Sequence, residues 1–133
     1  MVHWKDSYKF GKAEERKILP DVSKYFGRDI KEYEEQYSKH DFYCDEYNYE
    51  VKSRTNTYAK YPTTMITMDK LIDGEKKLIL IFNFTDGIYW IEYNKEQFSN
   101  YFHQPFSRAG YKWDEKEHIY IPIKDLTKLE RLD

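Results

Sequence analysis

The run Leu78-Ile-Leu-Ile-Phe-Asn-Phe84 is apolar at nearly every position. Side chains alternate along a strand, so a strand apolar on both sides has to be covered on both faces. This run therefore predicts an inner strand of a layered fold. Asp86-Gly87 follows it and is the strongest turn signal in the chain. Ile88–Tyr93 then reads as its hairpin partner.

The other elements are placed around that hairpin. Tyr8–Phe26 has helical spacing at Phe10, Ala13, Ile18, Val22 and Phe26, with a bend or restart expected at Pro20 and a stop at Gly27. Asp29–Tyr37 alternates weakly and predicts an edge strand. Asp41–Arg54 reads as two short strands around a tight turn, and Thr55–Pro62 as a polar loop. Thr63–Ile72 fits either a strand or a short helix. Asn94 with Gln97 forms a capping-box pattern that opens a helix to about Phe102. His103–Glu117 reads as a loop, and His118–Ile123 as a last strand whose Pro122 suits an edge. Asp125 is placed to cap a final helical turn. The expected fold is α/β (α+β), a sandwich around one mixed central sheet flanked by helices, and 133 residues suit a single domain, 1–133.

Composition narrows the function classes. A formal net charge of -2 excludes a bulk basic field for nucleic acid, although 22 lysines and arginines leave room for a local basic rim. Cys44 is the only cysteine. It permits neither an internal disulfide nor a cysteine zinc site, and a reducing, cytoplasmic setting fits. The N-terminus lacks an apolar signal-peptide core, and the longest apolar run is too short to span a bilayer, so no membrane association is expected. Aromatics make up 19% of the chain, with 14 Tyr, so Tyr and Phe should share the core with Ile and Leu. The histidines show no metal-ligand spacing, and the chain has no nucleophile elbow or glycine-rich phosphate loop.

Chemistry concentrates in Asp41–Arg54. Strand alternation puts Glu50, Lys52 and Arg54 on one face and Tyr49, Val51 and Ser53 on the other. The string acid-x-Lys also occurs at Glu15-Arg16-Lys17, Asp29-Ile30-Lys31, Glu75-Lys76-Lys77 and Asp114-Glu115-Lys116. Only Glu50-Val51-Lys52 combines it with an apolar opposite face. A two-residue turn at Asp45-Glu46 pairs Cys44 with Tyr47, Tyr43 with Asn48, Phe42 with Tyr49 and Asp41 with Glu50. Directly opposed residues share a face, with Cβ atoms about 4.5–5.5 Å apart. A three-residue turn would move Asp41 to the other face.

Two opposed carboxylates destabilise a sheet unless a cation lies between them. Two oxygen ligands plus water suit Mg²⁺. Such an ion polarises a phosphoryl oxygen and lowers the pKa of a bound water. Lys52 beside it could position that water or stabilise charge developing on phosphate.

These residues resemble the PD-(D/E)XK nuclease superfamily, which includes restriction endonucleases and Holliday-junction resolvases. Asp41 matches the acid opening the second core strand, and Glu50-Val51-Lys52 the motif in the third. Phe10-Gly11-Lys12-Ala13-Glu14-Glu15 resembles the glycine and glutamate pattern of the first core helix, and Arg54 a basic residue that often follows the motif. His40 stands where the family's proline would be. The resemblance implies a restriction-endonuclease-like core and a deoxyribonuclease dependent on Mg²⁺ or Mn²⁺. Its metal site would comprise Asp41, Glu50, the Val51 carbonyl and, through water, Glu14, with Glu15 as the rival helix acid. Lys52 would be the catalytic lysine, and Arg54 and Lys70 candidate DNA contacts. The substrate would be DNA, linear, single-stranded or branched, and a homodimer or larger machine the working form.

Plainer readings stand beside these. Glu50 and Lys52 on a solvated hairpin could simply compensate each other, and an acid near a helix start is common because it favours the helix dipole. His40 reads either as an accessory base or as an ordinary strand residue. Tyr58 and Tyr61 could stack on bases, with packing the commoner role for such residues. The rival functions are a non-catalytic nucleic-acid-binding or assembly module of the same fold, and a protein-interaction domain with an acidic surface hairpin.

Overall fold

The computed structural model describes residues 4–35, 38–71, 74–107, 110 and 115–130, with backbone only for 4–8. Helix α1 (Trp4–Phe26) is followed by strands β1 (Lys31–Glu32), β2 (Phe42–Tyr43), β3 (Tyr47–Ser53), β4 (Thr63–Thr67), β5 (Lys77–Phe84) and β6 (Gly87–Glu92). One helical turn, α2 (Lys95–Phe98), then leads to β7 (His103–Phe106), β8 (Lys116–Pro122) and β9 (Thr127–Lys128). A six-stranded sheet has the order β1-β2-β3-β5-β6-β9, and a three-stranded sheet the order β4-β8-β7. The larger sheet is mixed, because β3 and β5 run parallel while its other pairs are antiparallel.

The apolar β5 run is explained by two cores. Ile79 and Ile81 join Ile18 and Val22 of α1, with Phe42, Tyr49 and Val51, on one face. Leu78, Leu80, Phe82 and Phe84 join Ile66, Ile119, Ile121 and Phe98 on the other. The α/β sandwich around a mixed sheet is therefore present, but the long helix α1 covers only one face, and the single turn α2 gives the other only Phe98. The second is covered by the smaller sheet, which carries the β3-to-β5 crossover through β4.

Several local expectations change. α1 runs through Pro20 without a break, with Ile18 and Val22 buried on either side of it. Packing of that stripe outweighs the lost backbone bond. The expected edge strand shrinks to β1, while Gln36 and Tyr37 lie outside the described residues. Thr63–Ile72 is a strand and then a 3-10 turn, Met68–Lys70. The loop of the β5–β6 hairpin is Thr85-Asp86, because Gly87 already pairs with Phe84. Asp86 is held there by accepting a bond from the Tyr58 backbone N–H at 2.8 Å.

The Asn94 side chain does accept from Gln97 N–H (2.8 Å), yet α2 stops at Phe98. The Ser99 and Asn100 side chains donate to the Glu96 carbonyl and compete for helical acceptors. Residues 103–106, expected in a loop, pair with β8 as β7. β8 is consequently a central strand, with Pro122 tolerated at its last position. Asp125 ends a 3-10 turn and accepts a bond from the Tyr101 hydroxyl at 2.7 Å instead of capping a helix. Among the described residues no helix is long and apolar enough to cross a membrane.

Gly27 ends α1 in the left-handed region, at φ +64. Gly27 N–H bonds the Lys24 carbonyl and Arg28 N–H the Ser23 carbonyl, both at 3.2 Å, which is the Schellman closure. A Cβ there would meet open space. Gly27→Ala should therefore lower stability through backbone strain alone, by about 1 kcal/mol in urea unfolding.

Candidate active site

The β2–β3 hairpin sets the site. Phe42 pairs with Tyr49 and Tyr43 with Asn48, and Cys44 N–H reaches the Tyr47 carbonyl at 2.9 Å. The turn is thus Asp45-Glu46, the expected register. Phe42 and Tyr49 are fully buried on the α1 face, so slippage by one residue would expose both.

The ladder stops there. Asp41 N–H turns to the Tyr49 carbonyl (3.0 Å), and its own carbonyl accepts from Tyr33 N–H (3.1 Å). Beyond this point β3 keeps β5 on one side, with Glu50 opposite Leu80 and Lys52 opposite Phe82. On its other side the Asp41 carboxylate takes the place of a strand: Oδ2 accepts from the Val51 backbone N–H at 2.7 Å. A strand residue's N–H and C=O point toward the same neighbour, so the Val51 carbonyl also faces this edge.

Glu50 is 3% exposed, beneath the second apolar core. Lys52 Nζ lies 3.5 Å and Lys70 Nζ 3.8 Å from its Oε1, while Oε2 has no hydrogen-bond partner among the described residues. Burial, then the Asp41 charge, push the Glu50 carboxyl up to about 8 against the pull of Lys52 and Lys70.

The helix acid meeting Asp41 is Glu15. Burial first, then the Asp41 charge, raise its pKa to about 7, and Lys12 opposes this from 3.4 Å. Lys12 also lies 3.9 Å from Asp41 Oδ1. Glu14, the helix acid favoured from the sequence, instead contacts Lys17 (3.3 Å) and Asn83 Nδ2 (3.4 Å). It lines a groove of about 870 Å³ with Ser53 and Arg54, in which neither Asp41 nor Glu50 takes part. The two acids flank the Ile18/Val22 stripe on opposite sides, so only the docking of α1 decides between them. Lys12 carried a weak signal of its own, its i,i+3 spacing to Glu15.

The two basic candidates differ in placement. Lys70, at the end of the 3-10 turn after β4, reaches Glu50 and donates to the Lys39 carbonyl at 2.9 Å. Arg54 clasps the two sheets together. Its Nε donates to Thr64 Oγ1 at 3.3 Å, its Nη2 to the Met65 carbonyl, and its guanidinium lies over the Phe82 ring. His40 is buried, with Nε2 2.9 Å from the Lys70 carbonyl, and burial lowers its pKa. A carbonyl only accepts, so Nε2 carries the proton. Tyr58 stacks on Tyr89 in the packing of the second core, whereas Tyr61 is exposed.

Residues 37–129 match the family model described as "Phage putative PDDEXK endonuclease". The chain belongs to this family. The match contains Asp41, Glu50, Val51, Lys52, Arg54 and Lys70, and the α1 acids precede it. No curated protein matches the chain. PDDEXK nucleases generally use divalent metals. The donor set here fits one: Glu50 carries a buried orphan oxygen, and the Asp41 charge raises the pKa of both Glu50 and Glu15. Among the described residues, no three Asp, Glu, His or Cys side chains form a ready-made cage. Such a cation would therefore rely on water for much of its coordination.

The elevated pKa values carry a stability consequence. A carboxyl whose folded pKa is raised above its usual 4.5 contributes stability below that value and loses it as pH rises, for Glu50 through about 8. Glu50→Gln should accordingly melt higher than the parent in metal-free buffer, with a gap that widens from about pH 5 to about pH 9. Thermal melts of both proteins across that range provide the check.

Proposed function

We propose that this chain is a metal-dependent nuclease that hydrolyses phosphodiester bonds in DNA, with Mg²⁺ or Mn²⁺ as its ion. The observation that carries the reading is the Asp41 carboxylate bonded to Val51 N–H at the open edge of β3, between Glu50 and Lys52 in sequence. When bound, a divalent cation would polarise a phosphoryl oxygen and lower the pKa of a water. Asp41, Glu50 and the Val51 carbonyl would hold it, with Glu15 contributing through water.

The chain's own groups do the rest. Lys52, 28% exposed and tethered to Glu50, can orient the attacking water and meet charge developing on phosphate. The apolar side chains of Leu80 and Phe82, paired across from Glu50 and Lys52, keep the local dielectric low and strengthen those interactions. A purely structural domain has little reason to bury a carboxylate with an unpartnered oxygen. That argues against the reading of a solvated charged hairpin.

Incubation with linear, single-stranded and branched DNA in Mg²⁺ and in Mn²⁺ should give cleavage of at least one substrate. Lys52→Ala should slow it by about 10²–10⁴-fold while metal binding persists. Salt-sensitive DNA binding without any cleavage would instead identify a non-catalytic module of the same fold.

A further inference from the structure

We propose that His40 is a positioning residue that fixes Lys70 against Glu50, and that Lys70 so placed loosens the hold of the carboxylates on a divalent cation. This rests on the metal-site reading above and goes beyond it.

Lys70 is tied at both ends to the residues immediately before Asp41. His40 Nε2–H donates to its backbone carbonyl at 2.9 Å, and Lys70 Nζ donates to the Lys39 carbonyl at 2.9 Å. Leu71 N–H closes the turn onto the Met68 carbonyl at 3.0 Å. With the Asp41 bond to Val51 N–H at 2.7 Å and the Lys70 contact to Glu50 at 3.8 Å, these links form a ring. The ring joins the segment before β2, the motif strand β3 and the turn after β4. His40 is 7% exposed, so the donor side of this part-buried bond is largely withdrawn from water.

Glu50 Oε1 already has one ammonium, Lys52 at 3.5 Å. Lys70 brings a second one to within 3.8 Å of the same oxygen. It places a positive charge where an incoming cation would be repelled. An anionic phosphate offers Lys70 a competing partner, and its departure from Glu50 would remove that repulsion. Metal and nucleic acid would then tighten each other's binding, as linkage requires.

The test is Mn²⁺ titration followed by the electron paramagnetic resonance of free Mn²⁺, on DNA-free protein. Lys70→Met should bind Mn²⁺ about three- to tenfold more tightly than the parent, since one nearby like charge is removed. His40→Phe keeps a ring but no donor and should shift affinity the same way, with His40→Leu as a second apolar choice if the phenyl ring is not accommodated. His40→Gln, whose amide can donate to the Lys70 carbonyl, should stay at the parental value. Combining His40→Phe with Lys70→Met should add nothing to Lys70→Met alone. Unchanged or weaker binding in Lys70→Met overturns the inference, as does a folded His40→Phe with parental affinity. Asp41→Asn separates the two levels. If the parent binds Mn²⁺ and Asp41→Asn does not, the metal site stands whatever Lys70 does. If the parent shows no Mn²⁺ binding, the metal site and this inference fall together.

Discussion

The bond from Val51 N–H to the Asp41 carboxylate holds the edge of the candidate site together. β3 has β5 along one side for its whole length but β2 along only its first part. Backbone donors left on the open part would need water or another strand. Asp41 supplies one acceptor and, in doing so, stays beside Glu50 and Lys52. The fully buried Phe42–Tyr49 pair fixes the arrangement, because it forbids the slip that would turn Asp41 away.

Around this edge the protein gathers Asp41, Glu50 and Glu15 with Lys12, Lys52 and Lys70. Burial raises Glu50 and Glu15, and the Asp41 charge raises both further. The lysines offset this only in part, and both carboxyls stay raised with Lys12 and Lys52 at 3.4 and 3.5 Å. A group held in an unfavourable charge state by well-packed surroundings is a common mark of a functional site. The strength of the surroundings comes from the two cores that share β5, with α1 on one face and the smaller sheet on the other.

Local patterns foretold much of this. Alternation and the apolar β5 run give most of the central-sheet strands and the inner position of β5, and the two-residue turn at Asp45-Glu46 gives the hairpin register. The misses have physical causes of their own. Glu14 and Glu15 border the same apolar stripe, and helical periodicity carries no information about which border faces β2. The His103–Phe106 strand is exposed along its length and shows no alternation to read. Its existence depends on β8 lying next to it. Pro122 marks the end of β8, where a missing donor is tolerated, and not an edge.

What the sequence by itself determined is therefore the inner β5–β6 hairpin, the family resemblance and the Asp45-Glu46 turn that sets the β2–β3 register, because these follow from neighbours in the chain and from one short turn. The tertiary structure decided that Glu15 meets Asp41, that Lys70 arrives beside Glu50 under His40, and that Arg54 clasps the two sheets. Each of those contacts joins separate elements of the fold. Their geometry depends on how α1 and the smaller sheet dock on the central one, which no local periodicity encodes.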